Sequence, residues 1–279
     1  MYEKKNVYYF IEIFLIYVII SLAVLIALLP IYWIFQSTFK PSIEQLISPP
    51  NWFPKNITLE NYTLLFKQTN VIRALFNSSF ITITSVLIAI ILGAPAAYSI
   101  ARYNVGGGYI PFFVLMIRMT PAVAFILPLF LIARYFNLKG SYFIIIITYV
   151  FFTLPMVIWL MMGFFSELPV ELEEAAMIDG CSRIQAMLKI TLPLTAPGIA
   201  STAIFCSILV WNEFIYALIL TGDKTTTLTV LVNSFVTQRG MDYGLMCCVG
   251  IIMCLPMIVF GIFMQKHLVK GLIAGAIKG

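Results

Sequence analysis

Charge is what this sequence has least of. Only 10% of its 279 residues are Asp, Glu, Lys or Arg, and 61% are hydrophobic. An ordinary soluble domain carries about 25% charged residues. There is too little charge here to cover a water-facing surface, and the mean hydropathy of +0.99 agrees. A soluble enzyme, a disordered chain and a nucleic-acid binder working through a basic face are all excluded. Histidine is nearly absent: His267 is the only one. No H-E-x-x-H, G-x-S-x-G or Cys–His cluster exists to support membrane-embedded catalysis. The five cysteines, Cys181, Cys206, Cys247, Cys248 and Cys254, form no C-x-x-C pair. Most lie in apolar runs, where cysteine acts as a small hydrophobe, so no disulfide, metal or redox role is expected.

What is present is a set of long uncharged stretches. No charge occurs over 13–39, 74–101, 140–166, 190–212 or 243–265, and the stretch 103–133 is interrupted only by Arg118. Each exceeds the roughly 20 apolar residues that cross a hydrocarbon core as a helix. Backbone groups cannot stay unpaired in lipid, and the alternation of a membrane barrel is missing. The expectation is an all-α membrane protein with six helices near 13–35, 76–98, 109–133, 142–164, 198–221 and 245–264. The first is too long for a secretory signal and lacks a clear cleavage site, so it reads as a retained helix. With both termini inside, eight Lys and Arg fall on each face and Arg118 stays in the membrane. Charge counting therefore does not orient the chain. Pro30, Pro95, Pro121, Pro128, Pro155 and Pro256 fall within spans, as packed kinks or as hinges. Asn56, Asn61 and Asn77 each begin an N-x-Ser/Thr triplet, which matters only in a glycosylating pathway.

The exception to the scarcity of charge is the segment between the fourth and fifth spans. It holds Glu167, Glu171, Glu173, Glu174 and Asp179, five of the twelve acidic residues. It reads as two short helices. Pro169 and the glutamates suit the start of the first, Gly180 a left-handed end, and Ser182 the cap of a second running to Pro193. Leu172, Ala175, Ala176 and Asp179 share one face, and Glu171, Glu174 and Ile178 another. Paired alanines permit close approach by another protein, and Glu174 a charge-assisted contact. The alternative is an amphipathic helix lying on headgroups, which an acidic face disfavours.

The spacing Glu174-Ala175-Ala176, three residues, Gly180, nine residues, Ile190, one residue, Leu192-Pro193 resembles the E-A-A loop of the membrane subunits of binding-protein-dependent ABC importers. The stretch Trp211-Asn212-Glu213-Phe214, the segment 57–62 and the tail 269–279 are similar to the carbohydrate branch typified by the maltose permease subunit with a short cytoplasmic tail. The resemblance implies the type I importer permease fold, six transmembrane helices with a cytoplasmic coupling-helix loop. It divides the chain into a cytoplasmic N-terminus 1–12, a membrane domain 13–264 (family core about 73–264, coupling loop 166–197) and a cytoplasmic tail 265–279. The location implied is a bacterial-type inner membrane with both termini cytoplasmic.

By the same resemblance, Glu174, Ala175, Ala176, Asp179, Gly180 and Arg183 would dock an ATP-hydrolysing subunit. Lys270, Gly271, Gly275, Lys278 and Gly279 would lie at the interface of two such subunits. The loop 222–244 would meet an extracytoplasmic solute-binding protein, and a second homologous permease would complete the pathway as a heterodimer. Binding of ATP and Mg would belong to the partner. This chain has no G-x-x-x-x-G-K-[ST] loop, since Gly106-Gly107-Gly108 is followed by Tyr109. No cofactor of its own and no nucleic-acid partner are expected. Candidate pathway residues are Arg118, Trp211, Asn212, Glu213 and Tyr216, because ionisable groups within spans face cavities or partners. They suit structural or gating roles, an Arg118–Glu213 pair, or contact with a sugar, sugar alcohol or glycerophosphate-like solute. The rival is an ion-coupled secondary transporter using Arg118, Glu213 and Asp242 as a relay.

Overall fold

The computed structural model describes residues 2–237 and 240–276, with side chains described over 9–117, 119–237 and 240–262. Helices follow one another as α1 Tyr2–Ser37, α2 Ser42–Gln45, α3 Glu60–Gln68, α4 Val71–Tyr103, α5 Tyr109–Met119, α6 Val123–Tyr135 and α7 Tyr142–Glu167. Then come α8 Glu171–Ile178, α9 Arg183–Ala186, a π turn Met187–Thr191, α10 Leu192–Leu194, α11 Ala196–Trp211, α12 Ile215–Leu220, α13 Leu228–Asn233 and α14 Tyr243–Ala276. A two-residue antiparallel pair, Val236–Thr237 with Gly240–Met241, precedes α14.

All six apolar stretches are helical, but only four form unbroken helices long and apolar enough to cross a membrane. Among the described residues these are Tyr9–Ser37, Val71–Tyr103, Tyr142–Glu167 and Tyr243–Ile262. The predicted third span is divided into α5 and α6 by Thr120–Ala122, where Pro121 withholds an N–H. The predicted fifth is divided into α11 and α12 at Asn212–Phe214. Pro30, Pro95, Pro128, Pro155 and Pro256 lie inside continuous helices. A proline alone therefore does not set the breaks.

The chain falls into two compact units: residues up to Asn70 with Val232–Ile252, and Val71–Leu231 with residues from Met253 on. In the second unit α4, α7 and α11 pack on one another around Ile81, Ala89, Ile145, Val157, Met161, Phe165 and Cys206. Lipid supplies no hydrophobic drive between helices, so close packing of small residues must serve. Ala89, Gly93 and Ala97 recur every fourth residue on α4, and a Cβ on Gly93 would come within 2.7 Å of Val157 Cγ1. Where α4 and α7 begin, Asn77 donates to the carbonyls of Lys224 (3.1 Å) and Thr226 (2.8 Å) and accepts from Tyr142 (2.6 Å).

In the first unit the turn after α1 is held by side chains. Asn61 donates to the Thr38 and Lys40 carbonyls at 2.8 Å each. Glu44 accepts from the Lys55 amide (2.8 Å), the Asn56 amide (3.4 Å) and Asn51 (3.4 Å). The Lys55 amide does most to hold the Glu44 carboxyl below its ordinary range, against the opposing effect of burial. A depressed carboxyl pKa contributes stability above the unfolded value, and that stability is lost as pH falls through the folded value. Protection of the Lys55 and Asn56 amides, corrected for intrinsic exchange, should stay level on acidification and fall only below about pH 4. Loss already near neutrality would contradict the Glu44 lock.

Candidate functional site

The acidic segment folds by local rules. Glu171, Glu173 and Glu174 occupy the first turn of α8, where the helix dipole favours them. Gly180 adopts φ +92°, a conformation open to glycine at little cost. The Gly180 amide reaches the Met177 carbonyl (3.1 Å) and the Cys181 amide the Ala176 carbonyl (3.0 Å). Ser182 then forms a reciprocal capping box with Gln185 at 3.3 and 2.9 Å.

The second helix does not stop at Pro193 as the sequence suggests. The chain widens into the π turn, with the Leu192 amide bonded to the Met187 carbonyl, and carries Pro193 inside α10. The wider turn displaces the carbonyl that a proline ring would otherwise strike. The direction changes at Thr195 instead: Arg183–Leu194 and Ala196–Trp211 are bent by 73°.

The residue that fastens this segment is Glu173, not the neighbouring Glu174 that the motif singles out. Glu173 is buried, and its Oε1 accepts from Arg102 Nε at 2.8 Å and Thr191 Oγ1 at 2.9 Å. Its Oε2 accepts from the Tyr98 hydroxyl at 2.6 Å. Arg102 also donates from Nη1 to the Leu168 carbonyl at 2.9 Å. Tyr98 and Arg102 lie one turn apart at the end of α4, so one carboxylate ties α4, α8 and the π turn together. A signal was available: Arg102 is the only charge between Arg73 and Arg118. A lone cation at the end of an apolar helix calls for an anion.

Around this anchor the expected docking residues face outward. Glu174, Ala175, Asp179, Gly180 and Arg183 are exposed and Ala176 is half-buried. The Arg183 guanidinium lies 5.1 Å from the centre of the Tyr103 ring, steadying α9 against the end of α4. Large apolar side chains stand among them, with Ile178 87% and Ile184 67% exposed. Acidic groups are thus interleaved here with uncovered aliphatic ones.

The pathway candidates gather at the break between α11 and α12, where Glu213 has a structural task. Its Oε1 accepts the Tyr216 amide (3.0 Å), and Oε2 accepts the Ala217 amide (3.2 Å) and the Tyr149 hydroxyl (2.8 Å). The carboxylate thus caps α12 inside the bundle. Thr229 donates to the Glu213 carbonyl at 2.9 Å. Tyr216 stacks on Phe152 with centroids 4.4 Å apart and donates to the Ala122 carbonyl at 2.8 Å. Asn212 is exposed and bonds back to the Ile208 carbonyl. Trp211 is buried and its Nε1 has no partner among the described residues. It borders a cavity of about 10 Å³ shared with Ser78, Thr82, Tyr149 and Glu213, room for roughly one water molecule.

The Arg118 side chain, and with it the Arg118–Glu213 pair, lies outside the described residues. Lys270, Gly271 and Gly275 lie on the helical backbone of α14, with the Lys270 side chain outside the described residues, as are Lys278 and Gly279 altogether. Asp242 caps α14 through its Oδ1 and the Leu245 amide at 3.2 Å.

Residues 89–274 match the family described as binding-protein-dependent transport system inner membrane component. The trehalose transport system permease protein of Mycobacterium tuberculosis is 36% identical over 93% of this chain and 95% of its own length. The diacetylchitobiose uptake system permease protein of Streptomyces coelicolor is 32% identical over 90% and 91%. In fold, the chain resembles a subunit of a bacterial ABC transporter that imports the acidic polysaccharide alginate. There the TM-score is 0.73 at 22% identity, over 89% of this chain and 93% of that one.

Proposed function

Because the chain belongs to the family of binding-protein-dependent transport system inner membrane components, we propose that it is the permease subunit of an ATP-driven carbohydrate importer. The observation that carries this reading is the anchored loop: Glu173 inside, Glu174 and its neighbours outside. The loop would be the cytoplasmic seat of an ATP-hydrolysing partner, which alone would bind ATP and Mg, with both termini of this chain on the same side. Glu174 would supply the polar contact, Ala175 and Ala176 close approach, and Gly180 the turn. Closure of the partner on ATP would move the docked loop and bias the bundle between inward- and outward-facing states. Only contacts that differ between the two states can shift that balance.

A second permease, two ATP-binding subunits and an extracytoplasmic binding protein would complete the assembly. The trehalose and diacetylchitobiose relatives support a sugar or oligosaccharide as the solute. An ion relay through Glu213 is less well supported, since both of its oxygens already accept from Tyr149, Tyr216 and Ala217.

Glu174→Arg tests the assignment. The variant should insert and fold normally, because Glu174 is exposed, yet lose the ATPase subunits on co-purification and abolish solute uptake. Normal uptake with the ATPase subunits still bound would refute it.

A further inference from the structure

Glu173 and Glu174 are adjacent on one short helix and face opposite ways, and this arrangement has mechanical content. A push on the outer face of α8 meets a carboxylate that is bonded to Arg102, Tyr98 and Thr191 at 2.6 to 2.9 Å. The side chains of the Arg102–Glu173 pair are only 8% and 5% exposed. Sliding α8 against α4 would separate a charge pair with little water available to replace either partner. The Arg102–Leu168 bond closes the same circuit through the segment before α8. Tyr98 adds stiffness, with its ring edge-to-face on Phe165 at 5.7 Å. Beyond this point α4 runs through the centre of the bundle against α7 and α11.

We propose that the buried Glu173 carboxylate is the positioning residue that passes movement of the docked loop to α4 through Arg102 and Tyr98. The inference rests on the docking reading above and adds to it the route by which the movement enters the membrane. A surface helix held only by its backbone connections could tilt under a partner without moving the bundle. Packed elements that share a buried, hydrogen-bonded charge pair move together or break apart.

The test uses the assembled transporter, purified with its ATPase and binding-protein partners and reconstituted in vesicles. The readout is solute taken up per ATP hydrolysed. Glu173→Gln, which keeps the shape and removes the charge, should lower that ratio about tenfold, within the range of site-to-site couplings, while both ATPase subunits remain bound. Pairing it with Arg102→Gln should restore most of the ratio, because two amides can bond without an unmatched charge. An unchanged ratio in the assembled Glu173→Gln complex would overturn the proposal.

If that variant fails to assemble, Tyr98→Phe decides, since it removes a single bond to the same carboxylate. A fall of about threefold with the complex intact supports the route, and an unchanged ratio sinks it. Failure of the docking reading itself looks different, because Glu174→Arg would then retain its ATPase subunits.

Discussion

Arg102→Ala is expected to loosen the acidic loop more than any other single truncation near it. It leaves the Glu173 carboxylate buried with only the Tyr98 and Thr191 hydroxyls as partners. Removing one member of a buried pair costs about 3–5 kcal/mol, mostly through the charge left behind. The protein can escape part of this by letting α8 swing into water. Purified protein should therefore show a lower Tm, and limited proteolysis should cut within 168–182 before any membrane helix. The double variant Arg102→Ala/Glu173→Ala should be less destabilised than Arg102→Ala alone, since no charge is then stranded. A double variant that is worse than the single one would show that packing rather than charge dominates.

Gly198→Ala is the second large effect, and it acts through volume. A Cβ at this buried position of α11 would sit 2.5 Å from Phe164 Cγ and 2.8 Å from Cδ1 and Cδ2. Cγ is the root of the ring, so turning the ring about its own axis does not clear it. Helix α11 must move away from α7, and overpacking of this kind costs about 1–3 kcal/mol. Gly163, the residue before Phe164 on α7, is the internal control, because a Cβ added there would meet nothing within 4 Å. Gly163→Ala should stabilise by about 0.5–1 kcal/mol, because it stiffens the unfolded chain at no steric cost. Thermal unfolding of the two variants should move in opposite directions. A stabilised Gly198→Ala would show that the α7–α11 contact is loose.

The features legible in the sequence are those decided within a few residues. The uncharged stretches located the helices, Gly180 ended α8, and Ser182 capped α9, because each depends on hydrogen bonds three to five residues apart. The breaks in the third and fifth stretches were hidden. Hydropathy is blind to an interruption that leaves composition apolar, and the partners filling the break at Glu213 come from α7 and from Thr229. The choice between Glu173 and Glu174 was hidden for the same reason. Both fit the first turn of an acidic helix, and partners far along the chain, Arg102 at 71 residues and Tyr98 at 75, select which one turns inward. Pro193 shows the limit of local rules in the other direction, since a π turn makes room for a residue that usually ends a helix.

The break at Glu213 also sets an order of events during biosynthesis. Helix α12 has six residues, about 9 Å of rise, and cannot hold a place in the bilayer by itself. Glu213 can enter the bilayer at low cost only where donors await it, and Tyr149 is made 64 residues earlier on α7. The Glu213 carbonyl must wait longer, for Thr229, which leaves the ribosome 16 residues later. The fifth stretch thus completes its hydrogen bonds only when α7 is in place and the following loop has folded back onto it.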